Sequence, residues 1–558
     1  MKTLILLLIL YSACSAQSKY YVSLNGNDSN NGTITQPWRT FQKACTAQVI
    51  AAGDSIFFRQ GTYSGIANIT YSGNASNWIV LTNYKSEEVK IEGNSTPAQT
   101  MLFIYGRQYL KIIGLHFTNS TGNNSRGVFI GSTSNNIHVV RCRFSEINFS
   151  ANPADVPSNS TNVNPLKVCG DNTNIAINNI LLDGNEVFDC RTGYSEGITV
   201  SGNVDGFVVS NNYVHDLFNI GIVLAGHYND CSDKQARNGI VRDNFVYNCQ
   251  FGIITFPAAG IYVDGAKDML IERNRVGKCQ VGIQLGCETP TKTSTNTIVR
   301  SNYVYYCVRD GIGVGSSNGA GQVLNSSIIN NTTYQNSTLF NYDGGELYIT
   351  NVDNITVSNN IFYARKHFVG VLMKIEDISK IVTSMIDYNI FYADDASTAR
   401  VKFGGSSESL NTLSAYQATT LKDQHSAFAN PQFIDTVDEQ NPELHLKATS
   451  PAIDAGFWFA DGKNGTTDFD ENNRLEGIKV DIGAYEYKIC PNAYKIYGKI
   501  NNATAVKFEV STKIEANNTL KNGSNTQYDA GKFILLKPGF RADSGSVFKA
   551  FIDGCGNN

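Results

Sequence analysis

Charge is what this chain has least of. Only 17% of its 558 residues are charged, and 45 Lys+Arg stand against 49 Asp+Glu, for a net charge of −4. Neither sign is in excess, so no basic field exists to draw nucleic acid. With 42% hydrophobic residues the chain is too apolar for disorder. Beyond the amino terminus no apolar run is long enough to span a bilayer. No Cys/His spacing resembles a zinc site, and no acidic segment has the spacing of an EF-hand. Proline is scarce at 12, whereas Gly (49), Tyr (28) and Phe (29) are plentiful and Asn, Ser and Thr fill the gaps. That mixture suits short strands joined by tight turns better than helices.

The amino terminus reads as an address. Lys2 precedes an apolar run from Leu4 to Leu10, then small residues around Ala13 and Ala16. This predicts a signal peptide over 1–16 and a secreted or cell-surface protein. Anchoring as a lipoprotein through Cys14 is the weaker reading, because Tyr11 fits the anchoring motif poorly.

A repeat predicts the fold. Phe207-Val-Val-Ser-Asn-Asn212, Gly239-Ile-Val-Arg-Asp-Asn244, Met269-Leu-Ile-Glu-Arg-Asn274 and Thr297-Ile-Val-Arg-Ser-Asn302 share one alternating pattern ending in Asn. The Asn recurs at 185, 212, 244, 274, 302, 331, 360 and 389, with Gly114 and Cys142 in the same slot of weaker copies. Intervals of about 27 to 32 residues mark a solenoid, and period-two alternation makes each copy a strand. A second series interleaves: Gly197-Ile-Thr-Val, Gly221-Ile-Val-Leu, Gly260-Ile-Tyr-Val, Gly282-Ile-Gln-Leu and Gly311-Ile-Gly-Val. Two or three short strands per coil predict an all-β, right-handed parallel β-helix of about ten or more coils. Coils stack about 4.8 Å apart, so residues in one slot form ladders. Cys190, Cys249, Cys279 and Cys307, each five residues after its Asn, form a ladder of buried thiols rather than a metal site.

Residues 20–63 carry Tyr20-Tyr-Val-Ser, Gly26-Asn-Asp-Ser, Thr40-Phe-Gln-Lys-Ala44, Gly53-Asp-Ser-Ile and Gly61-Thr-Tyr63. They resemble the opening of secreted pectin-lyase-like β-helix proteins, where a short amphipathic helix plugs the first coil. Ser450-Pro-Ala-Ile-Asp-Ala-Gly456 and Asp481-Ile-Gly-Ala-Tyr-Glu-Tyr487 resemble their closing segment, and Tyr528-Asp-Ala-Gly with Leu536-Lys-Pro-Gly-Phe540 resembles a small carboxy-terminal β module of secreted Bacteroidetes proteins. The implied organisation is a cap with first coils over 17–100, a parallel β-helix core over 101–400, a closing segment of the β-helix over 401–488 and the module over 489–558. Cys490 and Cys555 bracket the module and are the disulfide candidates.

Insertions locate the site. The shortest coils need about 14 residues from a Gly-Ile strand to the next Asn and about 8 or 9 onward to the next Gly-Ile. The gaps Gly221–Asn244, Asn244–Gly260 and Gly282–Asn302 exceed this, as does the excursion from Phe149 to Ile177, so loops wall a groove over these strands. If Ile261 and Val263 point inward, Tyr262 and Asp264 point out, and one coil on Gln284 and Glu288 do the same. His227, Asp230 and Glu196 are expected on that face. Asp264 and Glu288, one coil apart, form the carboxylate pair a glycosidase requires. Either can instead be an ordinary turn residue, Asp before Gly265 or Glu at a loop.

Ser210, Arg242, Glu272 and Arg300 form a rival column two residues before the Asn. It reads as an exposed ion-pair ladder or as a uronate-neutralising lyase site, with Lys267 the base. The acidic loop Asp468-Phe-Asp470 leaves calcium open as a cofactor, and no other is expected. The expected function is hydrolysis of a polysaccharide by a monomer. The alternatives are a uronate lyase and a non-catalytic glycan-binding or adhesin solenoid.

Overall fold

The computed structural model describes residues 17–555 except 94–98, 253–257, 318, 339–343, 365–369, 395–398, 404–408, 437–441, 489 and 501–504. The expected leader, with Cys14, lies outside the described residues. Each regular coil contributes three strands. The first face holds the strands that lead into Asn, such as Arg237–Arg242, Lys267–Glu272 and Ile298–Arg300, paired in parallel and in register. The second holds the strands that follow, such as Phe245–Gln250, Arg275–Gly277 and Tyr303–Tyr305. The third holds the Gly-Ile strands, including Asn164–Gly170, Ala259–Asp264, Val281–Gly286 and Asp310–Val314. Ile271, Val276 and Ile261 stand for the inward positions of the three faces, each fully buried in one continuous core.

The bend between the first and second faces requires a left-handed residue in every coil. Gly184, Asn211, Asp243, Arg273, Ser301, Asn330 and Asn359 all have φ between 51 and 66°. For a non-glycine residue that conformation is costly, and the Asn that follows it offsets the cost. The Oδ1 of Asn274 accepts both the backbone N–H (3.1 Å) and the side-chain amide (2.9 Å) of Asn244, whose amide also donates to the Val209 carbonyl at 2.9 Å. The same bonds repeat from Asn185 to Asn389, and the ladder ends where Asn389 donates to the buried Asp423 at 2.9 Å. Its other end is Cys142, whose N–H donates to Asn185. One expected member is displaced: Ile113 pairs with Val140, so Leu115 lies beside Cys142. Gly114 instead supplies the left-handed residue before it, with φ 67°.

The four ladder cysteines are free and buried. Three of them, Cys249, Cys279 and Cys307, explain the glycines at 221, 260 and 282 that precede Ile on the third face: a Cβ on Gly260 would stand 3.0 Å from the Cys279 sulfur and 2.5 Å from Val276.

The helix Phe41–Thr46 buries Phe41, Ala44 and Cys45 against the first coils, with Thr40 capping it. At the other end Leu413–Thr420 lays Tyr416 on the core. The segment after it then returns along the outside. It covers the second face's tyrosine column, where Tyr303, Tyr305, Tyr334 and Tyr363 pack with Phe433, Phe469 and Tyr485. Its fully buried Arg474 donates to Ser301 Oγ (2.7 Å) and the Ala484 carbonyl (2.9 Å) and pairs with Glu486 at 3.2 Å.

Residues 490–555 form three three-stranded parallel sheets around their own core of Val510, Ile514 and Tyr528, and Cys490 is bonded to Cys555. Lys495 of this module reaches Asp243 on the helix at 3.1 Å, and Tyr497 lies under the Arg275 guanidinium at 4.3 Å.

Candidate active site on the third face

Strand register places the outward side chains. Lys167 lies beside Thr199, Thr199 beside Val223, Val223 beside Tyr262, and Tyr262 beside Gln284. An adjacent column runs from Asn164 to Glu196 and Ile220 along the strand edge. Two loops wall this surface. The loop after Tyr213–Ala225 folds back to bring Tyr228 and Asp230 over it. It is pinned by a Cys169–Cys231 disulfide, by Ser232 Oγ donating to the Gly170 carbonyl at 2.8 Å, and by a Lys167–Asp230 ion pair at 2.8 Å. The loop after Val281–Gly286 carries Glu288, whose backbone N–H donates to Asp264 at 2.8 Å. From the opposite side the 149–163 excursion contributes Asn159 and Asn162.

The resulting cleft has a volume of about 530 Å³ and is lined by Arg126, Lys167, Glu196, Tyr228, Asp264 and Glu288 among others. A second cavity of about 510 Å³, with Gln284, Asp310 and Tyr348, shares Tyr262 and Glu288 with it. One groove therefore runs past the carboxylates in both directions along the axis.

Three carboxyl groups surround one phenol. The Tyr228 hydroxyl bonds Asp264 Oδ2 and lies 3.3 Å from Glu288 Oε2, while the Tyr262 hydroxyl donates to Glu288 Oε1 at 3.4 Å. A phenol has a single proton, so it donates to one carboxyl and can accept from the other only if that one is protonated. Asp264 is 4% exposed. Burial first, and then the Glu288 carboxylate, push its pKa up to about 7, against the opposing pull of the Tyr228 hydroxyl and the Glu288 N–H. Glu196 is also pushed up to about 7, chiefly by burial, although Lys167 and the Thr199 hydroxyl at 2.8 Å draw it down. Tyr228 is raised far above an ordinary phenol by burial and by Asp264 and Glu288, so it stays protonated. Such a cleft holds a proton on a carboxyl near neutrality beside a second, more exposed carboxyl.

Glu196, Asp230, Tyr262, Gln284, Asp264 and Glu288 thus meet in one groove. His227 does not. At φ 70° its side chain turns around the corner into a separate cavity with Lys267, so neither faces the carboxylates. Arg242 and Arg300 stand on the first face. Arg300 is bound to Glu272 at 2.7 Å and covered by the carbonyls of Gly462 and Lys463. No lyase site assembles from Arg242, Arg300 and Lys267. The Asp468 loop does not fit calcium either: Asp468 accepts the N–H groups of Asp470, Asn472 and Glu486, and Asp470 bonds His445. Among the described residues no group of three or more His, Cys, Asp or Glu is arranged to hold a metal.

Tyr228, Lys167 and Arg126 were absent from the expected set. A readable signal existed for the loop: Cys169 and Cys231 fall off the cysteine ladder, and a bond between them folds the intervening chain over the groove.

Residues 20–164 match the family model described as a Pel9A-like right-handed β-helix region, and residues 228–362 match a right-handed β-helix region. The chain is a right-handed β-helix protein. Uncharacterized protein YwoF of Bacillus subtilis is 29% identical over 457 residues, 77% of this chain and 91% of that protein. Pectate lyase PEL9 of Emericella nidulans is 42% identical over 79 residues, 14% of this chain and 19% of that one. Among solved structures, pectate lyase Pel9A aligns with 16% identity and a TM-score of 0.46, covering 86% of this chain and 98% of that chain. In this β-helix protein the carboxylate groove lies on a face where every coil adds one more outward position to the same column. Among the described residues no helix is long and apolar enough to cross a membrane.

Proposed function

We propose that this protein acts outside the cell on a polysaccharide laid along the third-face groove and hydrolyses its glycosidic bonds. Asp264 protonates the leaving oxygen, and Glu288 is the opposing carboxylate. The observation that carries this reading is the buried Asp264, held near pKa 7 beside a second carboxyl in an open groove. Both carboxyls reach one hydroxyl, which supports the close spacing of retaining glycosidases, about 5 Å, over the about 6.5–9.5 Å of inverting ones. Tyr262 lines both cavities and packs against Gly286, where a Cβ would meet its hydroxyl at 2.9 Å, which supports a role for its ring in holding a sugar. Three carboxyl groups also favour a neutral glycan over a polyanion.

A second reading has its own support. Lys167 and Arg126 line the same cleft and can neutralise a uronate carboxylate for β-elimination, and two of the similar proteins are pectate lyases.

One experiment separates the readings: incubation with neutral and uronate polysaccharides, following reducing ends and the absorbance of unsaturated product together. Reducing ends without new absorbance support hydrolysis. Both signals rising together overturn it in favour of elimination. Retention of a glycan on the protein with neither signal overturns both in favour of a binding solenoid.

A further inference from the structure

The second face is covered along only part of its length. Its two outward columns run in register through Glu186, Tyr213, Phe245, Arg275 and Tyr303, and through Phe188, His215, Tyr247, Gly277 and Tyr305. From Tyr303 onward the returning segment lies over them with Phe433, Phe469 and Tyr485. At Arg275 the cover is Tyr497 of the carboxy-terminal module. Toward the amino terminus the cover stops, and the aromatic surface does not.

Phe188, His215, Tyr213, Phe245 and Tyr247 form one connected set. Ring centroids are 5.4 Å apart for Phe188 and His215, 3.8 Å for His215 and Tyr213, 5.0 Å for Tyr213 and Phe245, and 5.7 Å for Phe245 and Tyr247. Tyr213 is 38% exposed and the other four are half-buried. Phe245 also carries the Arg275 guanidinium at 4.6 Å, so the open surface joins the covered one without a break. Elsewhere on this face aromatic rings of the same chain bury the same columns, so its open part is suited to aromatic cover as well.

Charge selects the occupant. Glu186 lies between Arg143 at 2.6 Å and His215 at 3.5 Å, and His215 also meets Asp216 at 2.8 Å. Lys278 stands at the rim, 5.5 Å from the Tyr247 ring. With its central charges paired, the face gives no field to attract a strongly charged partner, and two copies of it approach without strong repulsion. A two-fold interface requires this, because each patch meets itself. Size sets the strength. From His116 to Phe245 the first column spans five coils, about 20 Å at about 4.8 Å per step, and its strands are of similar length. Such a face belongs among the smaller specific interfaces, below about 1,200 Å² in total, and predicts association at micromolar concentration.

We propose that this protein forms a two-fold dimer through the exposed aromatic rings of its second face, rather than remaining the expected monomer. The groove on the third face stays open on another side of the solenoid, so the dimer is independent of the chemistry assigned there.

Sedimentation equilibrium on the full chain, from about 1 to about 100 μM, brackets the expected range. The mass is expected to rise from one chain to two. Tyr213→Glu combined with Phe245→Glu is expected to weaken association at least about tenfold, because each copy then meets its own charge. Leu535→Ser combined with Phe551→Ser, at exposed apolar positions of the module, is expected to leave it unchanged. A single chain at every concentration overturns the proposal. So does a dimer that survives the aromatic double variant, or one that is lost in the module variant. A glycan retained by a monomeric parent and released by the aromatic variant also overturns it, and makes the rings a ligand platform. Should the double variant unfold, Tyr213→Ser, at the most exposed of the five rings, carries the same expectation with a smaller, several-fold effect.

Discussion

Two charged surfaces of this molecule are built by the same stacking rule and end in opposite states. On the first face the column of Arg242, Glu272 and Arg300 alternates in sign, so adjacent coils neutralise each other. Glu272 pairs with Arg300 at 2.7 Å and with Arg273 at 3.1 Å, and the returning segment covers the pair. On the third face Asp264, Glu288 and Glu196 share one sign in an uncovered groove, and two of the three are pushed to about pKa 7. Equal geometry with compensated charge gives a structural seam. With buried carboxyls of one sign, only partly offset by Lys167, it gives a reactive surface, because the unfavourable energy of ionising them there appears as a shifted pKa.

The sharpest way to break this contrast is to neutralise one acid on each surface. Asp264→Asn is expected to lower turnover on the true glycan by roughly 10³-fold while leaving thermal stability at pH 7 intact or raised. Glu272→Gln is expected to do the reverse: unchanged turnover, and a loss of about 3 kcal/mol in denaturant unfolding because Arg300 is left without its anion. If Asp264→Asn destabilises and Glu272→Gln inactivates, the roles of the two faces are exchanged.

Glu288→Gln tests the coupling inside the groove. Asp264 works as an acid only while protonated, so activity falls as pH rises through about 7. Removing the Glu288 charge removes a cause of the raised pKa, so that limb of the pH–rate profile moves to lower pH in addition to a large fall in turnover. Tyr228→Phe has a smaller expected effect, roughly tenfold on turnover, and moves the same limb upward, because the phenol stabilises the Asp264 carboxylate. A limb that stays in place in both variants would detach it from Asp264.

The smallest expected effect is on stability against pH. Folded Asp264 and Glu196 hold protons to about pH 7, whereas unfolded carboxyls release them near pH 4. Their contribution is therefore full below about pH 4 and lost as pH rises toward 7. Asp264→Asn should flatten that slope in unfolding curves collected between pH 4 and 7.

Much of the scaffold was legible because each coil repeats one local environment. Asn at 185 through 389 and Gly before Ile at 221, 260 and 282 recur since the same bend and the same sulfur contact recur. Alternation within Gly260-Ile-Tyr-Val-Asp264 also sufficed to turn Tyr262 and Asp264 outward. Where the period weakens, the pattern no longer marks the slot: Leu115, one residue past the expected Gly114, lies beside Cys142. Loops have no period at all. Tyr228 and His227 are adjacent in the chain, yet one enters the groove and the other the cavity behind it.

By itself, then, the sequence determined a solenoid, the ladders that hold its bends, and the strand face from which Asp264 points. Period-two and coil-length patterns are local and need no knowledge of distant contacts. Only the tertiary structure decided that a Cys169–Cys231 bond folds Tyr228 onto two carboxyls, that Lys167 meets Asp230 sixty-three residues on, and that the returning segment covers Arg300. These are contacts between segments with no shared repeat. Their outcome depends on which side chains lose their water together, and burial is a property of the assembled surface rather than of any stretch of chain.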